Sequence, residues 1–565
     1  MANKFKSLLN WVKSGSPWIW LTGGAVSISM LSVLGLMLLI GWKGLTYFWP
    51  APLYQWQLDD SAQSQVELNG SPDRLIGQLY ENKYIPIAQI PQSQEHLSEQ
   101  QLTTGLVKRL SVKVANRELY PADFVSILDI NLQQPTEPEG WAVIERSRGG
   151  YFFGKPIRFE SAAGSSVTDI DQSLEEGLAF ADVLREETSR IVNQEIRGIS
   201  WLLEKLRLEK RKLELNETVS DGYLKSYEDT RRALNEQLDD AELRLEQLRT
   251  QLNVESLIVE DMTGQQVEIP LSHILDYWYP NQMNYAEKVT HWFKQIWKFL
   301  SENPRESNSE GGVFPAIFGT VLLVILMSIV VMPLGVIAAI YLHEYAKTNA
   351  LTRLIRIAVI NLAGVPSIVY GVFGLGFFVY TIGGSIDTLF YAERLPAPTF
   401  GTPGLLWSSL TLAVLTLPVV IVTTEEGLTR IPSAVRHGSL ALGATQFETL
   451  WRIVLPMASP AIITGLILAI ARAAGEVAPL MLVGVVKLAS SLPVDGQFPY
   501  VHLDRKFMHL GFHIYDVGFQ SPNVEAARPL VYATAFLLIT IIVALNMTAV
   551  SIRNKLREKY KMLEH

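Results

Sequence analysis

The sequence predicts a mainly α-helical polytopic membrane protein with six transmembrane helices and one large extracytoplasmic α+β insert. Three observations support this fold class: six long apolar runs, few charged residues, and an uneven distribution of Lys and Arg between the loops. Only 18 % of the 565 residues are charged and 48 % are hydrophobic, whereas soluble domains carry about 25 % charged residues. The mean hydropathy of +0.18 therefore indicates apolar segments beyond those of a soluble core.

Six apolar runs are long enough to cross a bilayer, because about 20 residues span the ~30 Å of hydrocarbon. Charged side chains occur only in the fifth run, at Arg472 and Glu476. The first run is too long for the core of a signal peptide and lacks a cleavage signal, so we expect it to remain as an anchor. In chain order the runs are Trp18–Trp42, Val313–Leu342, Ile357–Ser385, Gly404–Thr424, Ser459–Val486 and Pro529–Ile552.

The Lys and Arg residues of the short loops predict the orientation, because cytoplasmic loops carry an excess of them. With a cytoplasmic N-terminus, the inside segments hold 14 Lys and Arg and the short outside loops hold far fewer. Residues 1–43 then contain the cytoplasmic N-terminus and the first span, and residues 44–312 lie in the periplasm. Residues 313–552 hold the other five spans, and residues 553–565 form a basic cytoplasmic tail.

The insert combines predicted strands with a helical hairpin. Between Leu53 and Phe159, short alternations of apolar and polar residues are typical of strands. From about Leu174 to Glu255, apolar residues recur at intervals of three and four, which predicts an antiparallel hairpin of coiled-coil character. This hairpin holds 19 Asp and Glu against 13 Lys and Arg, so it supplies most of the net charge of −8. Docking of a partner and a spacer role both stay open for it.

The composition excludes several classes of function. The pI of 5.7 argues against nucleic-acid binding, which requires a basic face. The absence of cysteine excludes a disulfide scaffold, a zinc ribbon, a thiolate iron–sulfur site and a cysteine nucleophile. Gly149 to Lys155 matches the start of a phosphate-binding loop, but Pro156 replaces the hydroxyl residue that would hold magnesium. We therefore expect a chain without enzymatic activity, bound cofactor or metal, surrounded by membrane lipid.

The stretch between the fourth and fifth runs predicts two short cytoplasmic helices that join at Gly443. Thr445 and Glu448 form a T-x-x-E capping box for the second helix, and Pro456 is expected to end it. Apolar residues give this loop a surface that would press into the groove of a partner: Leu440, Leu442, Phe447, Leu450 and Trp451.

The spacing of this loop resembles the pattern E-A-A-x(3)-G-x(9)-I-x-L-P of ABC importer permeases. The glycine and the Ile-x-Leu-Pro frame match, whereas His437-Gly-Ser439 stands in place of Glu-Ala-Ala. The resemblance implies the type I ABC importer permease fold and a coupling helix on a separate ATPase subunit, which would bind ATP and magnesium. It assigns to this ATPase-coupling loop Arg436, Leu442, Gly443, Ala444, Ile453, Leu455 and Pro456.

Further strings resemble the phosphate permeases of the PstA type, over about residues 313–552 and the first span. The most specific string is Gly475-Glu-Val-Ala-Pro-Leu480, where PstA-type permeases carry G-E-T-A-P-L. The resemblance implies inward transport of phosphate across the bacterial inner membrane. It also implies a second permease of the PstC type, two ATPases of the PstB type and a periplasmic phosphate-binding protein of the PstS type. Val422 stands where many short relatives have Arg, so one positive charge of the pathway is missing or comes from the partner subunit.

Arg472 and Glu476 are the candidate residues of the substrate pathway. Their spacing places both side chains on one helix face. Each charge costs roughly 2.5–3.5 kcal/mol at the bilayer centre, so the pair indicates a function. The planar guanidinium can bind two oxygens of an oxyanion, and Glu476 would hold Arg472 between transport events or accept a hydrogen bond from protonated phosphate. A salt bridge that only joins helices is the competing interpretation.

Three other functions stay open from the sequence alone. A permease for another oxyanion, such as sulfate or molybdate, is the nearest alternative. A transmembrane sensor would bind its ligand at the outer hairpin, and a scaffold would use the coiled coil. The coupling-type loop favours a transporter over the last two.

Overall fold

The protein is described here from a computed structural model, within residues 14–58, 73–87, 103–120, 122–161, 170–305, 310–347, 349–521 and 524–561. Within these ranges six helical segments are long and apolar enough to cross a membrane, as predicted. The N-terminal lysines of the orientation argument lie outside the described residues. Numbered spans one to six, the segments are Trp18–Thr46, Phe314–Tyr345, Ser367–Phe390, Leu405–Thr429, Gln446–Gly475 and Ala527–Lys555.

Spans two, four and five form the apolar core of the membrane region, where Leu323, Leu412 and Ala469 are fully buried in one cluster. The helices approach closely at glycine: a Cβ atom added to Gly335 of span two would lie 2.6 Å from Cγ1 of Val420 in span four. The α-helices that build the six spans are Ser16–Thr46, Phe314–Ile340, Ser367–Phe373 with Gly384–Phe390, Leu405–Thr429, Leu455–Gly475 and Val524–Lys561.

Two spans begin or end at residues different from those of their apolar runs. Span three begins at Ser367, because Pro366 disfavours helix in the residue before it and separates the span from an amphipathic helix, Ala350–Leu362. Span five ends at Gly475, because Glu476 has an extended backbone with φ −81° and ψ 127°. Apolar composition alone does not reveal either break.

The insert between spans one and two contains two antiparallel sheets. The first has the strand order β1-β2-β3-β4, and the second has the order β8-β7-β6-β5-β9. The strands are β1 Leu53–Gln57, β2 Arg74–Pro86, β3 Leu106–Lys113, β4 Phe124–Leu128, β5 Ala142–Arg146, β6 Tyr151–Glu160, β7 Ser256–Glu260, β8 Gln266–Pro270 and β9 Ile274–Trp278. A short pair, Pro304–Arg305 with Glu310–Gly311, precedes span two.

A helical hairpin is inserted between β6 and β7 of the second sheet. Its helices are Ile170–Arg190, Arg197–Leu215 and Asp221–Leu252, and a wide turn of π-helix joins the first two. Part of the predicted stripe is buried, including Ala241 and Leu245. The tip packs less completely, because Leu202 and Leu215 remain largely exposed.

An ion-pair cluster fixes the sheet to the helix that leads into span two, Tyr285–Ser301. Nζ of Lys298 lies 2.7 Å from Oδ2 of Asp276 and 3.1 Å from Oε2 of Glu145. Burial opposes ionisation of Asp276, but Lys298 and Lys294 outweigh it and hold the pKa of Asp276 below its ordinary value. The cluster therefore joins the insert to the membrane region by charge as well as by packing.

The segment that matches the start of a phosphate-binding loop is a turn between strands. Gly149 and Gly150 adopt φ of +78° and +71°, which glycine tolerates without strain. The chain then continues as β6, so the helix N-terminus that binds phosphate in such loops is absent from this described segment. Its geometry is that of a β-hairpin.

Candidate transport and coupling sites

Arg472 lies in the last turn of span five, and Glu476 lies just beyond the helix end. Their side chains approach to 3.7 Å between Nε and Oε1, and each is partly exposed. The spacing predicts a pair along one helix face, but the structure forms it across the helix break. Arg472 follows the start of the helix at Leu455 by 17 residues, or about 26 Å. It therefore lies near the end of the span away from the loop, rather than at its centre.

The break in span five has a local cause. Gly475 ends the helix, Glu476 is extended, and Pro479 opens a short helix, Leu480–Val483. Span three packs closely against this turn at Gly371, which has no side chain. A Cβ atom added there would lie only 2.7 Å from Cα of Pro479. The turn that carries Glu476 is thus held against span three by backbone contact.

The face of span five that carries Arg472 is not covered by the described part of the chain. Leu468, one turn earlier, is 49 % exposed, and a Cβ at Gly475 would meet no atom within 4 Å. A charged pair facing lipid would be costly. This face therefore requires a water-filled path or another protein subunit beside it.

A protruding loop joins spans four and five. Its first helix is Ser433–Ala441, Gly443 turns the chain at φ +90°, and the capping box predicted for Thr445 and Glu448 is present. Leu442 at the tip is 91 % exposed, and Phe447 and Trp451 are 66 % and 64 % exposed. Large apolar side chains on a solvated tip indicate a docking surface.

Two predictions about this loop are wrong in detail. Leu450 does not belong to the exposed surface; it is 7 % exposed and packs with Leu428 and Val454 below the loop. Pro456 does not end the second helix, because a wide π-helical turn, Leu450–Val454, leads directly into Leu455–Gly475. Pro456 lies in the first turn of that α-helix, directly after the wide turn.

The other residues assigned to the loop lie at its base. Ile453, Leu455 and Pro456 are partly buried. The N–H of Ala444 donates to the carbonyl of Ser439 at 3.3 Å, which closes the turn at Gly443. These residues shape the loop and leave Leu442 as its outermost side chain.

Arg436 points inward and fixes the loop to two spans. Its guanidinium donates to the carbonyls of Leu428 at 2.8 Å and Ile431 at 3.0 Å, where span four ends. It also pairs with Glu344 of span two at 3.0 Å. Because these contacts are charge-assisted and largely buried, Arg436 is a positioning residue rather than a docking contact.

A second ion pair beside the loop is not evident from the sequence. Arg356 pairs with Glu425 of span four at 2.6 Å and donates to the carbonyl of Leu342 at 3.2 Å. Both charged residues line a cavity of about 460 Å³ together with Val422. Arg356 thus brings a positive charge next to Val422 from within this chain. In the sequence, the string Thr423-Thr-Glu425 marks where Glu425 of this ion pair lies.

These features define the class of protein: the membrane component of a binding-protein-dependent ABC importer, a transport subunit rather than an enzyme. Residues 331–558 match the family described as "Binding-protein-dependent transport system inner membrane component". Importers of this class combine such permeases with ATPases and a binding protein.

The relatives define the family more narrowly. The chain is 33 % identical to phosphate transport system permease protein PstA 1 of Mycobacterium tuberculosis over 43 % of this chain and 71 % of that protein. It is 32 % identical to phosphate transport system permease protein PstA of Yersinia pestis over 44 % of this chain and 75 % of that protein. The chain therefore belongs to the family of PstA-type permeases, as the sequence motifs predict. These matches do not address the insert.

Among solved structures, a chain of the inward-facing MetNI methionine ABC transporter is similar over 46 % of this chain and 98 % of its own length. The identity is 17 % and the TM-score is 0.32.

Proposed function

We propose that this chain imports inorganic phosphate as one of two permease subunits of an ATP-driven transporter. The observation that supports this most directly is the Arg472–Glu476 pair at a helix break, on a face that the described part of its own chain leaves uncovered. Membership in a family of phosphate transport permeases favours phosphate over sulfate and molybdate.

Arg472 is suited to contact the anion, because its fork of donors can bind two oxygens of a tetrahedral oxyanion. Its distance of 3.7 Å from Glu476 exceeds the 2.7–2.9 Å of a strong charge-assisted hydrogen bond. The pair is therefore loose enough for phosphate to displace the carboxylate. Glu476 then either releases Arg472 or accepts a hydrogen bond from a protonated phosphate oxygen.

The second permease supplies the rest of the pathway in this proposal. A single uncovered face with one arginine would leave the dianion partly exposed to lipid, at a high desolvation cost. A subunit of the PstC type packed against this face would enclose the anion between two proteins. A periplasmic binding protein of the PstS type would deliver it.

The protruding loop would transmit the movement of the ATPase subunits to the substrate pathway. Leu442 and the neighbouring aromatic residues present the surface for an ATPase of the PstB type, which would bind ATP and magnesium. Arg436 anchors the base of the loop to spans two and four, and the helix from Gln446 continues into span five. A displacement of the docked tip would therefore move the helix that carries Arg472.

The orientation with both termini in the cytoplasm and the insert in the periplasm belongs to the same proposal. The uneven distribution of Lys and Arg favours it. A contact is consistent with it: Arg197 of the hairpin donates to the carbonyl of Ser490 at 3.0 Å. The hairpin and the loop between spans five and six therefore lie on one side of the membrane, opposite the loop at Gly443.

The proposal is tested by uptake of radiolabelled phosphate in cells that lack this chain. A plasmid-borne copy should restore uptake, and an excess of unlabelled phosphate should abolish the signal while the same excess of sulfate leaves it unchanged. Competition by sulfate alone would assign another oxyanion. Restored expression without any uptake would refute the proposal.

A further inference from the structure

A cavity of about 460 Å³ lies between the insert and the membrane region, away from the Arg472 pair and from the loop. Lys43 and Thr46 line it from the end of span one, and Arg528 and Tyr532 line it from the start of span six. The remaining wall comes from the sheets and from the helix Tyr285–Ser301. Its volume falls within the range of small-molecule sites, and the transport mechanism does not use it.

Three residues that line the cavity each carry a buried side-chain donor without a hydrogen-bond partner within the described residues. The donors are Nε1 of Trp278, Nε2 of Gln295 and Nε of Arg305. Trp278 is only 8 % exposed, so its N–H cannot be satisfied by bulk solvent. Because unpaired buried donors are costly, a ligand that carries acceptors and reaches this part of the wall would stabilise it.

The charges of the wall indicate that this ligand is an anion. Each carboxylate of the wall has a cation within 4 Å: Glu81 pairs with Lys83, Glu145 and Glu302 pair with Arg305, and Glu310 pairs with Arg117. In contrast, three cations of the wall have no carboxylate within 4 Å in the part of the chain that the structure describes: Lys43, Lys113 and Arg528.

Lys113 is held at the cavity by an aromatic ring. Its ammonium group lies 4.6 Å from the ring centroid of Tyr151, a cation–π contact rather than an ion pair. Burial lowers the pKa of Lys113 although Glu310 and Asp123 oppose the shift, as expected for a lysine without an adjacent counter-ion. A bound anion would supply that counter-ion.

We propose that this cavity binds a phosphate-bearing anion, either inorganic phosphate or the headgroup of an anionic phospholipid. Phosphate oxygens form a charge-assisted contact with Lys113, and they are acceptors, which the unpaired donors of the wall residues lack. The end of span one and the start of span six line the cavity, so a lipid headgroup can enter it from the membrane boundary. Basic pockets between transmembrane helices bind such headgroups. The inference is independent of phosphate import, because it concerns other residues.

The test is native mass spectrometry of the full chain, purified in detergent and stripped of lipid. Inorganic phosphate, phosphatidylglycerol and diacylglycerol, which lacks phosphate, are titrated separately. Lys113→Ala should weaken binding of the phosphate-bearing ligand about tenfold or more, and Trp278→Phe, which removes the indole N–H, should weaken it several-fold. Arg109→Ala is the matched control, because Arg109 is exposed on the same strand and should bind like wild type.

The two sources and the competing explanations give different results. Lys113-dependent binding of phosphate alone assigns a free anion, and Lys113-dependent binding of phosphatidylglycerol alone assigns a lipid headgroup. Equal binding by wild type and both cavity variants would overturn the proposal, as would equal retention of diacylglycerol. Phosphate binding that Arg472→Ala abolishes and Lys113→Ala preserves would belong to the transport pathway and would also overturn it. If Lys113→Ala fails to fold, Trp278→Phe alone decides.

Discussion

Replacement of Arg436 by Ala tests how the protruding loop is held to the membrane region. The guanidinium makes two hydrogen bonds to carbonyls at the end of span four and one ion pair with Glu344. Hydrogen bonds to charged groups contribute about 1.5–3 kcal/mol each, and removal of one partner from a buried pair costs about 3–5 kcal/mol. With the Arg436 side chain only 19 % exposed, we expect Arg436→Ala to destabilise the base of the loop by about 3–5 kcal/mol.

The assay combines hydrogen–deuterium exchange with transport. Exchange of amides in residues 433–449 should accelerate by at least a hundredfold, because 1.4 kcal/mol corresponds to a factor of ten. Phosphate uptake should fall while the amount of chain in the membrane stays constant. Arg430→Ala is the control, since Arg430 is exposed and forms no ion pair within the described residues. The reasoning is refuted if both variants exchange and transport like wild type.

The insert and the loop surface give three further predictions. Lys298→Met removes the cation shared by Asp276 and Glu145, which keep Lys294 and Arg305. The free energy of unfolding should therefore fall by less than the roughly 3–5 kcal/mol of a fully unpaired buried charge; an unchanged melting curve would contradict this. Burial lowers the pKa of His291 from 6.5 to about 4, so its contribution to stability should be complete above pH 6.5 and decline as the pH falls toward 4. His291→Asn should reduce that decline in pH-dependent thermal unfolding, and an identical decline would argue against it. Leu442→Asp should preserve the melting temperature and weaken co-purification with the ATPase, whereas Leu215→Asp at the hairpin tip should not.

The six spans could be predicted from the sequence, because long apolar runs have few alternatives to membrane helices. The apolar run places the end of span five too far along the chain. Gly475 and Pro479 are local signals of a helix end, but the apolar run continues past them to Val486. The packing of this turn against Gly371 of span three is a contact across about a hundred residues, which leaves no local pattern.

The same distinction applies to the loop. Gly443 and the capping box are local signals, so the turn and the second helix start are predictable. The inward position of Leu450 is not, because it depends on packing against Leu428, at the end of another span. Pairs such as Arg356 with Glu425 depend on how the spans pack, which a single sequence does not specify.

Phosphate uptake by an Arg472→Ala variant tests the central claim most directly. Cells that lack the endogenous chain would carry wild type, Arg472→Ala or Arg472→Lys, with equal amounts in the membrane verified by immunoblot. We predict that Ala abolishes uptake and that Lys retains a small fraction, because it keeps the charge and loses the planar fork. Uptake by Arg472→Ala at the wild-type rate would contradict a role of the span-five arginine in phosphate transport.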